Sequence, residues 1–164
     1  MDYFINRANK FLNSVGGVLA VLLGAYIFLD VLGRNFFNFP MIGAYELAQN
    51  GVVLLVFLSL PTAIEDDSIL RIGGFYEQTS PFKRRIIYAF GLLIGIVFFV
   101  GIAYANFDFT IHAFKMHEVD GQATIRLPMG PVRAVLLVLW FWAAWVLIYQ
   151  FWKLIFKLNS ILDN

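Results

Sequence analysis

The sequence has no cysteine and few charged residues. Cysteine is absent, and Asp, Glu, Lys and Arg together make up 14% of the chain, against roughly 25% in soluble domains. The lack of cysteine excludes disulfides, thiolate metal sites and a cysteine nucleophile. The net charge of +1 and the dispersed basic residues give no reason to expect a nucleic-acid partner.

Apolar sequence is abundant instead. Hydrophobic residues make up 60% of the chain, and the mean hydropathy is +0.75. This composition predicts an all-α integral membrane protein, because spans of ~20 apolar residues cross a bilayer as helices. The 164 residues form a single membrane domain, 1–164, with no room for a separate soluble one. Four spans are predicted at about residues 15–32, 44–63, 86–105 and 132–156.

The segments beside these spans carry further structural signals. Residues 1–14 predict a short amphipathic helix lying on the membrane, and a frayed polar tail is the alternative. Its apolar face would hold Phe4, Ala8, Phe11 and Val15, with Asn9 on the polar face. Pro61 should kink or end the second helix. Residues 69–76 read as a broken interfacial helix or a loop, and the third helix should extend to about residue 117, before a turn at Asp120-Gly121.

The distribution of basic residues predicts the orientation. Eight lie near the N-terminus, the 64–85 connection and the C-terminus, and four lie on the other side. Because basic residues concentrate on the cytoplasmic side, both termini should be cytoplasmic. Lys83, Arg84 and Arg85 close the second connection, and we expect them to anchor this edge to anionic lipid.

The connection between the first two spans holds a cluster of charge. Asp30 and Arg34 are four residues apart and can pair if the first helix continues this far. Glu46 falls just inside the next apolar run, where an unpaired carboxylate is costly. The sequence therefore predicts a hairpin that brings Glu46 within reach of Arg34.

No residue pattern in the chain indicates catalysis. The two histidines, His112 and His117, are five residues apart and so do not form an i, i+4 metal pair. Asp108, His112 and Lys115 share a helix face that is either solvated or partner-facing. A Ser/His/Asp arrangement, a phosphate loop and a zinc motif are all absent. We therefore predict neither an enzyme nor a cofactor in this chain.

Two glycines in the third span point to close helix contact. Gly91 and Gly95 form a small-xxx-small pair, a spacing that lets another helix approach. The sequence leaves open whether that helix lies inside the bundle or in a partner.

The middle of every predicted span is apolar. There is no ionisable residue near Leu23, Leu54, Val97 or Ala143, whereas transporters place polar groups near the midplane. This favours a structural unit that works beside another membrane protein. One alternative is a self-sufficient homodimeric transporter that uses Glu46. Another is the membrane anchor of a quinone or haem enzyme, which the histidine positions disfavour.

Four short motifs resemble those of a known family. They are Asp30–Asn38 at the end of the first span, Tyr45–Ala48 at the start of the second, Ile69–Ile72 after it, and Arg126–Pro128 before the fourth. Together they resemble the small membrane subunit (DctQ-like) of tripartite ATP-independent periplasmic (TRAP) transporters. The chain departs from that family in having Tyr45-Glu46 where two adjacent acids are common.

The resemblance implies partners and a role. The partners would be a large membrane subunit of about twelve spans, which holds the substrate and sodium sites, and a periplasmic binding protein that delivers a carboxylate. This chain would be a non-catalytic scaffold in the bacterial inner membrane. Asp30, Arg34 and Glu46 would then fix the hairpin or bind the large subunit.

Overall fold

The computed structural model describes residues 2–39, 41–66, 81–120 and 127–162. Four helices account for most of them: α1 Asp2–Phe36, α2 Ala44–Glu65, α3 Pro81–Lys115 and α4 Met129–Leu162. Between α3 and α4, strand β1 (Val119–Asp120) pairs antiparallel with β2 (Leu127–Pro128). The predictions for residues 69–76 and for Gly121 and Arg126 lie outside the described residues.

All four helices are long and apolar enough to cross a membrane, which confirms the predicted all-α membrane fold. Helix α2 has 22 residues and is about 33 Å long, close to the ~30 Å thickness of a bilayer's hydrocarbon core. It continues through Pro61 to Glu65, so Pro61 does not end this helix; the alternative, a kink at Pro61, stays a prediction. Helix α3 ends at Lys115, near the predicted limit.

The N-terminal segment is not a separate helix. Residues 2–36 form one continuous α1, because nothing between the two predicted segments breaks the helix. The buried face carries Ile5, Asn9 and Gly16, whereas Phe4 and Phe11 of the predicted apolar face are exposed. Packing against α2, rather than a membrane surface, therefore determines which face of α1 is covered.

The four helices pack as two antiparallel hairpins. Helix α1 packs on α2, α3 packs on α4, and α2 and α4 join the two pairs. Gly16 and Gly51 allow close approach in the first hairpin, since a Cβ at Gly51 would lie 2.5 Å from Leu23 Cδ1. Helices α2 and α4 therefore form the centre, and α1 and α3 flank it.

The core lies mainly between α3 and α4. Phe57 of α2 packs against it, edge to face on Trp140 of α4, with ring centroids 5.6 Å apart. The rest of the buried apolar cluster includes Leu92, Phe99, Ala103, Ala143, Val146 and Leu147. Most other apolar side chains point outward, as expected where lipid rather than water surrounds the helices.

Candidate functional site

Charged and strongly polar side chains collect at the two ends of the bundle. We call these ends the hairpin rim, around Asp30 and the α1–α2 connection, and the Asn9 rim, around Asn9 and Glu65. Asn9 and Asp30 both lie on α1, roughly 31 Å apart at the helical rise. The two rims are therefore separated by about the thickness of a hydrocarbon core.

At the hairpin rim, Asp30 connects α1 to the following turn. Its Oδ2 accepts a hydrogen bond from Arg34 Nη2 at 2.9 Å, which confirms the predicted i, i+4 pair. Its Oδ1 accepts one from the Met41 backbone N–H at 2.8 Å. Asp30 is buried, so this carboxylate fixes the return of the chain toward α2.

The turn itself depends on a glycine. The carbonyl oxygen of Gly33 accepts hydrogen bonds from the backbone N–H groups of Phe37 at 3.1 Å and Phe39 at 3.0 Å. A Cβ at Gly33 would lie 2.6 Å from the Phe39 carbonyl oxygen, closer than real Cβ atoms come. The turn also uses left-handed backbone at Asn38 (φ 54°) and at Gly43 (φ 75°), which both residue types tolerate.

Glu46 does not complete the predicted pair. Arg34 is bound to Asp30 instead, and no ion pair joins Arg34 to Glu46 among the residues that the structure describes. Glu46 lies half-buried in the first turn of α2, where a carboxylate interacts favourably with the helix dipole. The predicted hairpin exists, but Asp30 and the Met41 backbone hold it.

At the Asn9 rim, one buried asparagine joins three helices. Asn9 Nδ2 donates to Glu65 Oε2 at 2.8 Å and to the Pro61 carbonyl oxygen at 3.4 Å. Asn9 Oδ1 accepts from Trp142 Nε1 at 2.8 Å, and Thr62 Oγ1 donates to the Asn9 carbonyl oxygen at 3.0 Å. We call these contacts the Asn9 network. They satisfy both ends of the side-chain amide inside the bundle.

Further hydrogen bonds extend this rim. Gln150 Nε2 donates to the Ile64 carbonyl oxygen at 2.8 Å, and Tyr88 of α3 donates to Gln150 Oε1 at 3.3 Å. At the start of α1, the Tyr149 hydroxyl donates to Asp2 at 2.5 Å. All four helices are therefore tied together at this end.

The prediction of a short amphipathic helix put Asn9 on its polar face, so this network was not expected. The available signal was the spacing of Ile5, Asn9, Gly16, Leu23 and Asp30, which follow one face along the whole of α1. That face is visible only if residues 1–14 and the first span are read as one helix.

The basic residues predicted to anchor the chain to lipid lie at the start of α3. Lys83 is exposed and Arg85 is half-buried, while the side chain of Arg84 lies outside the described part.

Of the two glycines predicted to allow close helix contact, Gly95 packs inside the bundle, because a Cβ there would lie 3.1 Å from Leu147 Cδ1 of α4. Gly91 is half-buried on the same helix.

A cavity lies at the other end of α3. Arg133 Nη2 donates to Glu118 Oε1 at 2.8 Å, and Arg133 Nη1 donates to the Phe109 carbonyl oxygen at 3.3 Å. Beside them is a space of about 520 Å³, lined by Asp108, Phe109, His112, Met116, Glu118 and Arg133. Both histidines are exposed, and no set of three side chains suited to a metal ion occurs within the described ranges.

No charged residue lies between the two rims in the part of the chain that the structure describes. Uncharged stretches cover the middle of each helix, namely Ser14–Leu29, Leu47–Ile64, Ile86–Phe107 and Ala134–Trp152. The arrangement can hold helices in a fixed order and present charge at both membrane surfaces. Among the described residues it offers no charged group halfway across.

Comparison with known proteins decides the family. The family model described as "Tripartite ATP-independent periplasmic transporters, DctQ component" matches residues 23–157, which is most of the chain. The chain belongs to this family. It is thus a multi-pass membrane protein and the small membrane component of a TRAP transporter. No curated protein and no solved structure matches it.

The matched range covers only part of the polar contacts. It includes Asp30, Arg34, Glu46 and the whole cavity lining, but it begins after Asn9. The matched range therefore contains the hairpin residues, whereas Asn9 itself lies outside it.

Proposed function

We propose that this chain is a non-catalytic scaffold subunit that braces the large membrane subunit of a TRAP transporter. The observation that carries this proposal is the uncharged middle of all four helices, between rims about 31 Å apart. A solute or ion that crosses a membrane needs polar groups or broken helices near the midplane. A bundle that lacks charge there is suited to support rather than conduction.

The transport chemistry then belongs to the other components. In this proposal the large subunit, of about twelve spans, holds the sodium and substrate sites, and this chain binds no cofactor. A soluble binding protein delivers a carboxylate substrate. Family membership supports a multi-component assembly. Sodium coupling, the carboxylate and the bracing role are parts of the proposal.

We further propose that the chain lies in a bacterial inner membrane with both termini in the cytoplasm. Eight basic residues lie on the side of the termini and four on the other, which favours this orientation. Lys83, Arg84 and Arg85 would then meet anionic lipid at the cytoplasmic surface. The Asn9 rim would be cytoplasmic, and the hairpin rim and the cavity would be periplasmic.

Reconstitution tests which of the two membrane subunits carries out transport. Proteoliposomes receive this chain alone, the large subunit alone, or both, and sodium-driven uptake is measured with the loaded binding protein outside. We expect uptake only when the large subunit is present, and the highest rate with both. Uptake by this chain alone would overturn the scaffold role and would revive a transporter that uses Glu46.

A further inference from the structure

The turn between α1 and α2 is apolar and exposed, although it lies at one end of the bundle. We call its described residues, 36–39 and 41–45, the aromatic turn. No acidic or basic residue occurs between Arg34 and Glu46. Large exposed apolar patches mark contacts with a membrane or a protein. Four side chains of the aromatic turn are aromatic and 69–77% exposed: Phe36, Phe37, Phe39 and Tyr45.

The other connection at this end of the bundle has the opposite character. Helix α3 ends at Lys115, and His112, Lys115 and Glu118 are all exposed. Charged side chains are costly to remove from water, so the end of α3 is suited to an aqueous surface. The two connections lie on the same side of the membrane, yet only the aromatic turn has a surface suited to lipid.

The aromatic turn lies at the depth of the lipid headgroups. Along α1, Phe36 lies roughly 40 Å from Asn9 at the opposite rim. The chain then turns back, since the Met41 N–H donates to Asp30 Oδ1 at 2.8 Å, at a point roughly 31 Å from Asn9. A bilayer has a hydrocarbon core of ~30 Å and is ~40–45 Å thick with its headgroups. The turn therefore stays within the headgroup layer instead of projecting beyond it.

Backbone groups of the aromatic turn find hydrogen-bond partners within the chain. The Gly33 carbonyl oxygen accepts from the N–H groups of Phe37 and Phe39. The Ile42 carbonyl oxygen accepts from the Tyr26 hydroxyl at 2.8 Å. Backbone polar groups that meet acyl chains need such partners, because lipid tails offer none. These bonds allow the turn to lie against acyl chains, whereas a turn in water would not need them.

We propose that the aromatic turn is inserted in the headgroup layer and holds this end of the α1–α2 hairpin at a fixed depth in the bilayer. Its partner is lipid, and its rings rest on the upper part of the acyl chains. The exposed rings include Phe36 at the end of α1 and Tyr45 at the start of α2, which favours lipid around the turn over a protein on one side of it. The headgroup layer contains water, so the polar residue Asn35 stays accessible. The proposal requires the membrane-spanning fold but not the scaffold role.

Fluorescence quenching measures the depth of the turn, because the chain has no natural cysteine. Phe37→Cys and Phe39→Cys are labelled singly with the fluorophore NBD, and each chain is reconstituted in vesicles of phosphatidylethanolamine and phosphatidylglycerol. One quencher is a lipid with a nitroxide near the headgroup end of its acyl chain, and the other is aqueous iodide. At both positions we expect lipid quenching at least about threefold stronger than at a water-exposed control, and iodide quenching at least about threefold weaker.

Lys115→Cys is the control at a matched height. Lys115 is exposed and lies roughly 40 Å along α3 from Tyr88, which belongs to the Asn9 rim through its bond to Gln150. Iodide should quench a label there more strongly than the nitroxide lipid does. If the labels in the aromatic turn respond to both quenchers as the label at Lys115 does, the turn lies in water and the proposal is overturned.

A second measurement identifies the partner. The same labelled chains are reconstituted together with the large subunit. Lipid quenching that persists in this complex supports lipid as the partner of the aromatic turn. Loss of lipid quenching at both positions on addition of the large subunit would overturn the proposal, because a protein would then cover the turn. The use of two positions keeps the result independent of any one substitution that disturbs the fold.

Discussion

The side chain of Asn9 accepts a hydrogen bond from the indole N–H of Trp142 across 2.8 Å, although the two residues are 133 positions apart. Asn9 is completely buried, so its side-chain amide has no water as a substitute partner. A single side chain near the N-terminus thus fixes the position of the last helix. Buried amides of this kind are costly to disturb, because each polar atom left without a partner carries its desolvation penalty.

Replacing Asn9 should therefore destabilise the bundle. We expect Asn9→Ala to lower the free energy of unfolding by about 1–3 kcal/mol in all, because it removes the hydrogen-bond partner of two half-buried polar groups. The unpaired groups would be the Trp142 indole and the Glu65 carboxylate. Thermal unfolding of the purified chain in detergent measures this as a lower Tm.

Asn13 provides the control on the same helix. It is exposed, so Asn13→Ala should change stability by less than about 0.5 kcal/mol. Equal Tm values for Asn9→Ala and Asn13→Ala would contradict the assigned role of the Asn9 network.

The two oxygens of Asp30 should contribute differently to stability. The Arg34 side chain is 66% exposed and that of Asp30 is 8% exposed, so solvent weakens their ion pair. Asp30→Asn removes this pair but keeps an acceptor for the Met41 N–H, and it should cost about 0–1 kcal/mol. Asp30→Ala also leaves that N–H unpaired and should cost about 1–3 kcal/mol more. Equal Tm values for the two variants would show that the Met41 contact contributes nothing.

Gly33 and Gly24 form a matched pair of helical glycines. A Cβ at Gly33 would meet the Phe39 carbonyl oxygen, whereas one at Gly24 would meet nothing within 4 Å. Gly33→Ala should lower the Tm, since the turn must open. Gly24→Ala should leave it unchanged or raise it, because alanine is better than glycine in a helix by roughly 0.5–1 kcal/mol. The reverse order would contradict the described turn.

Arg34 and Glu46 are the proposed contacts with the large subunit at the hairpin rim. Each alanine variant should weaken assembly about tenfold if it removes one charge-assisted hydrogen bond worth ~1.4 kcal/mol. The measurement is the amount of large subunit that co-purifies with this chain at limiting concentration. Full recovery with both variants would remove their assigned role.

The sequence predicted the features that depend on neighbours along one helix. Four apolar runs became four helices, and the i, i+4 spacing of Asp30 and Arg34 became an ion pair. The partner of Glu46 was predicted wrongly, because a pairing across a turn depends on the three-dimensional path of the connection, which the sequence spacing does not give. In the structure Arg34 binds Asp30, one helical turn away on the same helix.

Contacts between distant helices were beyond sequence analysis. Asn9 and Asn13 lie one turn apart on the same helix, and only the spacing along the whole of α1 sets Asn9 apart; yet Asn9 is buried against Trp142 and Asn13 is exposed. Gly95 resembles any glycine that could face a partner, and only the position of Leu147 shows that it packs within the bundle. In both cases the deciding residue lies on α4.

The central claim is that water has no route through the middle of this bundle, and the absence of natural cysteine makes it directly measurable. Single cysteines are placed near the span centres, at Leu23, Leu54, Val97 and Ala143, and at exposed rim positions Asn35 and Asp66. The chain is reconstituted alone in lipid and treated with a membrane-impermeant maleimide from both sides. We predict that both rim cysteines react and the four central ones do not. Reaction at a central position, at a rate close to that of the rim cysteines, would contradict the account.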